Sequence, residues 1–115
     1  MYASNSLQLS RFEGYLKKWT NYMMQYQRRW FVYDNGYLTY YRDRSEVGEL
    51  TRAQIHLLGC DLRRYSNFRF TITKNKEILF ALRAETKLDF DNWIATISRG
   101  IIECNESDTK SSNQL

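Results

Sequence analysis

The hydrophobic pattern of this chain changes period once, near residue 85, and that change limits the possible folds more than any other feature. Beyond it, Phe90, Trp93, Ile94, Ile97 and Ile101 recur at i, i+3, i+4, i+7 and i+11. That spacing is one stripe of an α-helix. Thr86, three residues before Asp89, supplies a capping box at its start. Before the change, short runs alternate apolar and polar and are separated by turn signals, which is the pattern of strands. The strongest turn signal is Asp34-Asn35-Gly36. Asn-Gly supplies the two positive φ angles that a tight type I′ hairpin needs.

Seven strands follow from this reading, over about 11–19, 27–33, 37–42, 52–57, 60–65, 68–73 and 78–84. Leu16 and Lys18 share a face of the first; Arg29, Phe31 and Tyr33 share one of the second; Leu38, Tyr40 and Arg42 share one of the third. A charged loop (43–51), a break at Gly59, a turn at Ser66-Asn67 and a polar hairpin at 74–77 separate the later strands. The expected fold is mainly β: a seven-stranded, strongly bent antiparallel sheet or partly open barrel, capped by one C-terminal α-helix. A helix with one apolar stripe plugs one end, and the other end stays open. With 115 residues there is room for one domain. Residues 1–10 read as an N-terminal arm, 11–102 as the domain, and the polar run 103–115 as a disordered tail or linker.

The least ordinary stretch is 17–31, KKWTNYMMQYQRRWF. Lys17 and Lys18 stand at one end and Arg28 and Arg29 at the other. The residues between them carry no charge, in a chain that is 26% charged. Two strands meeting through this segment place four cations around the base of an uncharged tip rich in Met and aromatics. Such a tip suits a surface where anionic headgroups lie above hydrocarbon. Lys18, Arg29 and Arg42 also share strand parity with Leu16, Phe31 and Leu38. Cations on the inward face of a barrel are tolerable only at its mouth, solvated or meeting an anion. Three converging there would hold a phosphomonoester by charge-assisted bonds.

These residues carry a resemblance to the pleckstrin homology domain family over residues 12–102. It rests on EGYLKKW at 13–19, RWF at 29–31, NGYLTYYR at 35–42 and the single tryptophan of the closing helix, Trp93. Within the family, KWTNY at 18–22 resembles the domains of oxysterol-binding protein, ceramide transfer protein and the four-phosphate adaptor proteins. The resemblance implies a phosphoinositide-binding, membrane-targeting module that reads phosphatidylinositol 4-phosphate on Golgi-type membranes, as a peripheral cytoplasmic protein and as part of a lipid-transfer protein. It assigns Lys18, Arg29, Tyr40 and Arg42 to the headgroup and Trp19, Tyr22, Met23 and Met24 to a membrane wedge. It sets Asp61 and Tyr65 where related domains meet an Arf-family small GTPase. Relatives carry glycine where this chain has Gln25, so a positive φ there would strain the glutamine by roughly 1 kcal/mol.

Other classes fit less well. A protein-interaction module on the same scaffold, taking a peptide or a small GTPase along a sheet edge, has no need of the cation triad. Nucleic-acid binding suits basic residues interleaved with aromatics. However, the net charge is only +4, and Asp43, Glu46 and Glu49 interrupt any long basic track. One histidine, no glycine-rich phosphate loop and no nucleophile–base pair leave nothing for an enzyme to work with, and no cofactor or metal ligand set is expected. His56, without a second histidine, reads as structural or solvent-facing, and Arg63-Arg64 as a solvated strand face. Cys60 and Cys104 have neither metal spacing nor a disulfide framework, which points to a reduced, cytosolic protein; a monomer is expected. Residues 1–10 lack the pattern of a signal peptide, and no run approaches the ~20 apolar residues of a spanning helix.

Overall fold

A computed structural model describes the backbone of residues 11–113 and the side chains of residues 11–109. The arm expected at 1–10 lies outside the described residues. The strands are β1 (Arg11–Thr20), β2 (Gln25–Asp34), β3 (Tyr37–Tyr41), β4 (Ala53–His56), β5 (Asp61–Arg64), β6 (Arg69–Lys74) and β7 (Glu77–Arg83), and the helix is α1 (Lys87–Asn113). They form one sheet in the order β4-β3-β2-β1-β7-β6-β5, with antiparallel neighbours throughout. β4 and β5 are its unjoined edges, so the barrel is open. β1 pairs with β2 along its whole length but with β7 only at Lys17↔Arg83 and Lys18↔Leu82.

Alternation decides what goes inside. Leu16, Phe31, Leu38, Phe70, Ile72 and Leu82 are fully buried and form the core with Trp93 and Ile97 of α1. The Trp93 ring meets Phe12 edge-on at 4.8 Å and Phe31 at 6.4 Å. Phe90 packs against Phe68 and Phe70, each with centroids 6.0 Å away. One half of the expected capping box forms, with the Asp89 amide donating to Thr86 Oγ1 at 3.1 Å. Gly100 sits on the same stripe, about two turns beyond Trp93. A Cβ there would come within 2.8 Å of the Tyr33 ring and hydroxyl and 2.9 Å of Leu57. The missing side chain is what lets the helix lie this close to the sheet.

Three expectations are corrected. First, α1 does not stop at 102 but runs to Asn113. Cys104 continues the stripe, its Sγ 3.9 Å from the Gly36 carbonyl, and Asn105 Oδ1 accepts from the Gly59 amide at 3.0 Å. These tertiary contacts hold a segment whose composition alone reads as a tail. Secondly, Gln25 does not occupy a left-handed position. It is the first residue of β2, paired with Thr20, and the positive φ falls one residue earlier, at Met24 (φ 54°). Thirdly, Phe68 opens no strand. It and Asn67 are both left-handed, at φ 61° and 58°, so the turn takes two residues and β6 begins at Arg69. The hairpin at Asn35-Gly36 has the expected pair of positive φ angles, 50° and 94°.

Candidate functional site: a cationic recess beside an apolar loop

The open end of the sheet carries the β1–β2 loop and the β3–β4 loop. Arg29 lies on β2 opposite Leu16, and Tyr40 lies on β3 opposite Phe31. Arg42 leaves the end of β3, and Arg52 immediately precedes β4, its amide donating to the Tyr40 carbonyl at 3.0 Å. Arg29, Tyr40, Arg42 and Arg52 line one open recess of about 320 Å³. Lys18 stands beside it, with Nζ 5.4 Å from the Tyr40 ring centroid and 5.8 Å from that of Phe80. The three cations picked out by strand parity therefore do meet, around Tyr40.

The recess is electrostatically unfinished. Burial, and next the neighbouring Arg29 guanidinium, hold the Lys18 ammonium below its ordinary 10.5. Arg29 donates to the Arg28 carbonyl at 2.9 Å and to the Gln27 side-chain oxygen. Those neutral acceptors orient the guanidinium without discharging it. Glu46 is the carboxylate closest to balancing the site. It accepts from the Arg42 amide at 3.1 Å and lies 3.8 Å from Arg52. Neither Arg29 nor Arg42 has an ion pair among the described residues. Stacked Phe31 and Tyr40, with centroids 5.3 Å apart, give the recess a stiff apolar floor. Like charges gathered over such a floor favour a dense anion.

Arg52 was not singled out by the sequence. It precedes β4, where alternation alone marks nothing. The available signal was symmetry, since an arginine stands at each end of the charged loop 43–51 that joins β3 to β4.

The wedge residues divide. Tyr22 is 93% exposed, Met23 47% and Met24 71%, so the loop presents its apolar side chains outward instead of folding them back. Thr20 closes the loop, its carbonyl accepting from the Met24 amide at 2.8 Å and its hydroxyl donating to the Gln25 carbonyl at 3.0 Å. Trp19 stands apart from the other three. It is half-buried, edge-on to Tyr26 at 5.2 Å, and its indole N–H donates to Asn21 Oδ1 at 2.9 Å. The structure makes it a brace under the loop. Asp61 and Tyr65 are away from the recess. They line a shallow trough on the outer face of β5–β7 with Arg63, Thr71, Thr73 and Ile78. His56 stacks on Tyr37 at 4.6 Å, with Nε2 3.7 Å from Cys104 Sγ. No helix among the described residues is long and apolar enough to cross a membrane.

A bent, open seven-stranded sheet with one helix plugging an end and cations at the other rim is the architecture of pleckstrin homology domains. The chain belongs to that family: the PH domain profile matches residues 10–102. Among curated proteins it is 36% identical over 89 residues to oxysterol-binding protein 2 of Mus musculus, covering 77% of this chain and 10% of that protein. It is 30% identical over 105 residues to human pleckstrin homology domain-containing family A member 3, covering 90% of this chain and 35% of that one. The chain thus spans a tenth to about a third of these relatives. Among solved structures, the PH domain of human oxysterol-binding protein-related protein 11 superposes with a TM-score of 0.76 at 24% identity, over 84% of each chain. The C-terminal PH domain of pleckstrin, in complex with an inositol pentakisphosphate, superposes with a TM-score of 0.68 at 27% identity, over 77% of this chain and 92% of that one.

Proposed function

We propose that this domain is a membrane-targeting module that takes the headgroup of a phosphoinositide between Lys18, Arg29, Arg42 and Arg52, against Tyr40, while Tyr22, Met23 and Met24 enter the bilayer. One observation carries the reading: the guanidinium groups of Arg29 and Arg42, without carboxylate partners among the described residues, face a recess whose neighbour is an exposed apolar loop. The arginines suit a phosphomonoester because each presents a planar fork of donors. The ligand is phosphatidylinositol 4-phosphate and the address a Golgi-type membrane. KWTNY at 18–22 and the likeness to oxysterol-binding protein 2 support that finer assignment, as they do membership of a longer lipid-transfer protein. The pleckstrin domain crystallised with an inositol pentakisphosphate supports an inositol phosphate as the ligand class.

A second surface goes with this reading. The trough on the outer face of β5–β7, which holds exposed Asp61, Tyr65 and Ile78, is offered to an Arf-family GTPase, so that lipid and protein are recognised on separate faces. The test of the headgroup site is Arg29→Glu in co-sedimentation with vesicles containing phosphatidylinositol 4-phosphate. Reversing one of the converging charges should lower affinity on the order of 100-fold, with an unchanged far-ultraviolet circular dichroism spectrum. Full co-sedimentation by the folded variant would refute the assignment.

A further inference from the structure

Methionine occurs in one place among the described residues. Met23 and Met24 stand side by side in the β1–β2 loop, and the only other methionine of the chain is Met1, outside the described residues. The core is built from Leu, Ile and aromatic residues, with Ala84 and Cys60, and takes no methionine. Leucine would give the loop the same apolar area. What methionine adds is a thioether sulfur, which a two-electron oxidant converts to a polar sulfoxide.

The loop holds both sulfurs within reach of such an oxidant. Both side chains are exposed, and neither belongs to the core. The Met24 amide is tied to the Thr20 carbonyl at 2.8 Å, in a turn closed by a left-handed Met24. Neither sulfur has a hydrogen bond among the described residues, so oxygen added there breaks no contact of the fold. The cysteines are the competing targets, and the fold shields them. Cys60 is buried and Cys104 half-buried, and burial pushes both thiols above their ordinary value. Peroxide attacks thiolate and not thiol, whereas a thioether needs to lose no proton before it reacts.

We infer that Met23 and Met24 form an oxidation site for hydrogen peroxide, and that oxygen transfer to this pair releases the domain from membranes. This rests on the membrane-docking reading above and adds a means of regulating it. The sulfur lone pair takes one OH oxygen of the peroxide, and the O–O bond breaks as the S–O bond forms. The proton of that OH passes to the leaving oxygen, which departs as water; sulfur is oxidised by two electrons. The sulfoxide oxygen is an acceptor that finds no donor in hydrocarbon, so the loop no longer enters it. The recess lies on the strands behind the loop and keeps its cations. Two electrons and two protons from a dithiol, with loss of water, restore the thioether.

The test treats the purified domain with hydrogen peroxide and then removes the peroxide with catalase. Trypsin releases residues 19–28, which hold both methionines and exclude Met1; this peptide should gain two oxygen atoms by mass spectrometry. Affinity for phosphatidylcholine vesicles carrying phosphatidylinositol 4-phosphate should fall on the order of 100-fold, the scale of losing an apolar tip, and affinity for soluble headgroup by less than about twofold. The two methionine sulfoxide reductases, one for each sulfoxide epimer, should restore vesicle binding when supplied with a dithiol. Met23→Leu with Met24→Leu keeps an apolar tip without sulfur. Whatever its starting affinity for vesicles, that value should be the same before and after peroxide. A doubly oxidised peptide with unchanged vesicle affinity overturns the inference, as does a peptide that takes up no oxygen. An equal loss in the leucine variant overturns it by moving the effect to Cys60 or Cys104. An equal loss for soluble headgroup overturns it by placing the damage in the recess. The wedge itself is judged by Met23→Ser with Met24→Ser. If that pair keeps its vesicle binding, the loop does not insert and the inference falls with the wedge; if it loses binding while oxidised wild type does not, the oxidation site alone fails.

Discussion

Replacing Met23 and Met24 by serine separates insertion from headgroup binding. The two side chains are 47% and 71% exposed, so together they offer a little more than one complete methionine to a bilayer. Burying one such side chain is worth about 1.5–3 kcal/mol, which sets the loss on removal at about 2–3 kcal/mol. In affinity that is roughly 30- to 150-fold. Neither residue packs in the core, and the hydrogen bonds that close the loop come from Thr20 and the backbone, so the fold should be indifferent to the change. The assay is paired: co-sedimentation with phosphatidylinositol 4-phosphate vesicles, and calorimetric titration with the soluble headgroup. Vesicle affinity should drop by the stated factor and headgroup affinity by less than about twofold. A parallel loss in both would mean that the loop shapes the recess and does not insert. No loss in either would mean that the exposed methionines never leave water.

Two further outcomes follow from the packing and the charges. Gly100→Ala gains up to about 1 kcal/mol of helix propensity, but its Cβ would meet Tyr33 and Leu57 inside 3.0 Å, and the Tyr33 hydroxyl is fixed by the Gly36 amide at 3.1 Å. Overpacking costs about 1–3 kcal/mol, so the denaturation midpoint should fall; a rise would show that α1 is free to move outward. In the free domain Lys18 gives up its proton below 10.5, and a bound phosphate favours the charged form. Above the phosphomonoester's own titration at about pH 6, headgroup affinity should therefore be complete up to the lowered value and decline as pH climbs beyond it, measured by titration calorimetry. Lys18→Arg should lose that decline, and an identical profile in the two proteins would remove Lys18 from the site.

How far the sequence foretold this molecule depended on whether a feature was local. Asn35-Gly36 and Thr86 with Asp89 act within four residues, and both formed as their chemistry requires. Leu16, Phe31 and Leu38 went inside because strand alternation leaves no other choice, and that parity carried Lys18, Arg29 and Arg42 to one rim. What was missed depends on contacts between distant segments. The helix continues past 102 because Asn105 reaches the Gly59 amide and Cys104 reaches Gly36, pairings that no polar composition discloses. The left-handed residue of the first loop fell on Met24 and not Gln25 because β2 already begins at Gln25, two residues before the strand start at 27 that alternation suggested. Arg52 matters only because its amide is tied to the Tyr40 carbonyl, a contact between segments twelve residues apart that alternation does not disclose.

The central claim is that the rim recognises a particular phosphomonoester lipid and not charge alone. The direct measurement is binding to a vesicle series in which each phosphoinositide in turn is present, with phosphatidylserine adjusted to keep the net surface charge constant. Phosphatidylinositol 4-phosphate should bind most tightly, and Arg29→Glu should erase its advantage. Affinities that follow surface charge alone, or that ignore every inositide offered, would contradict the account.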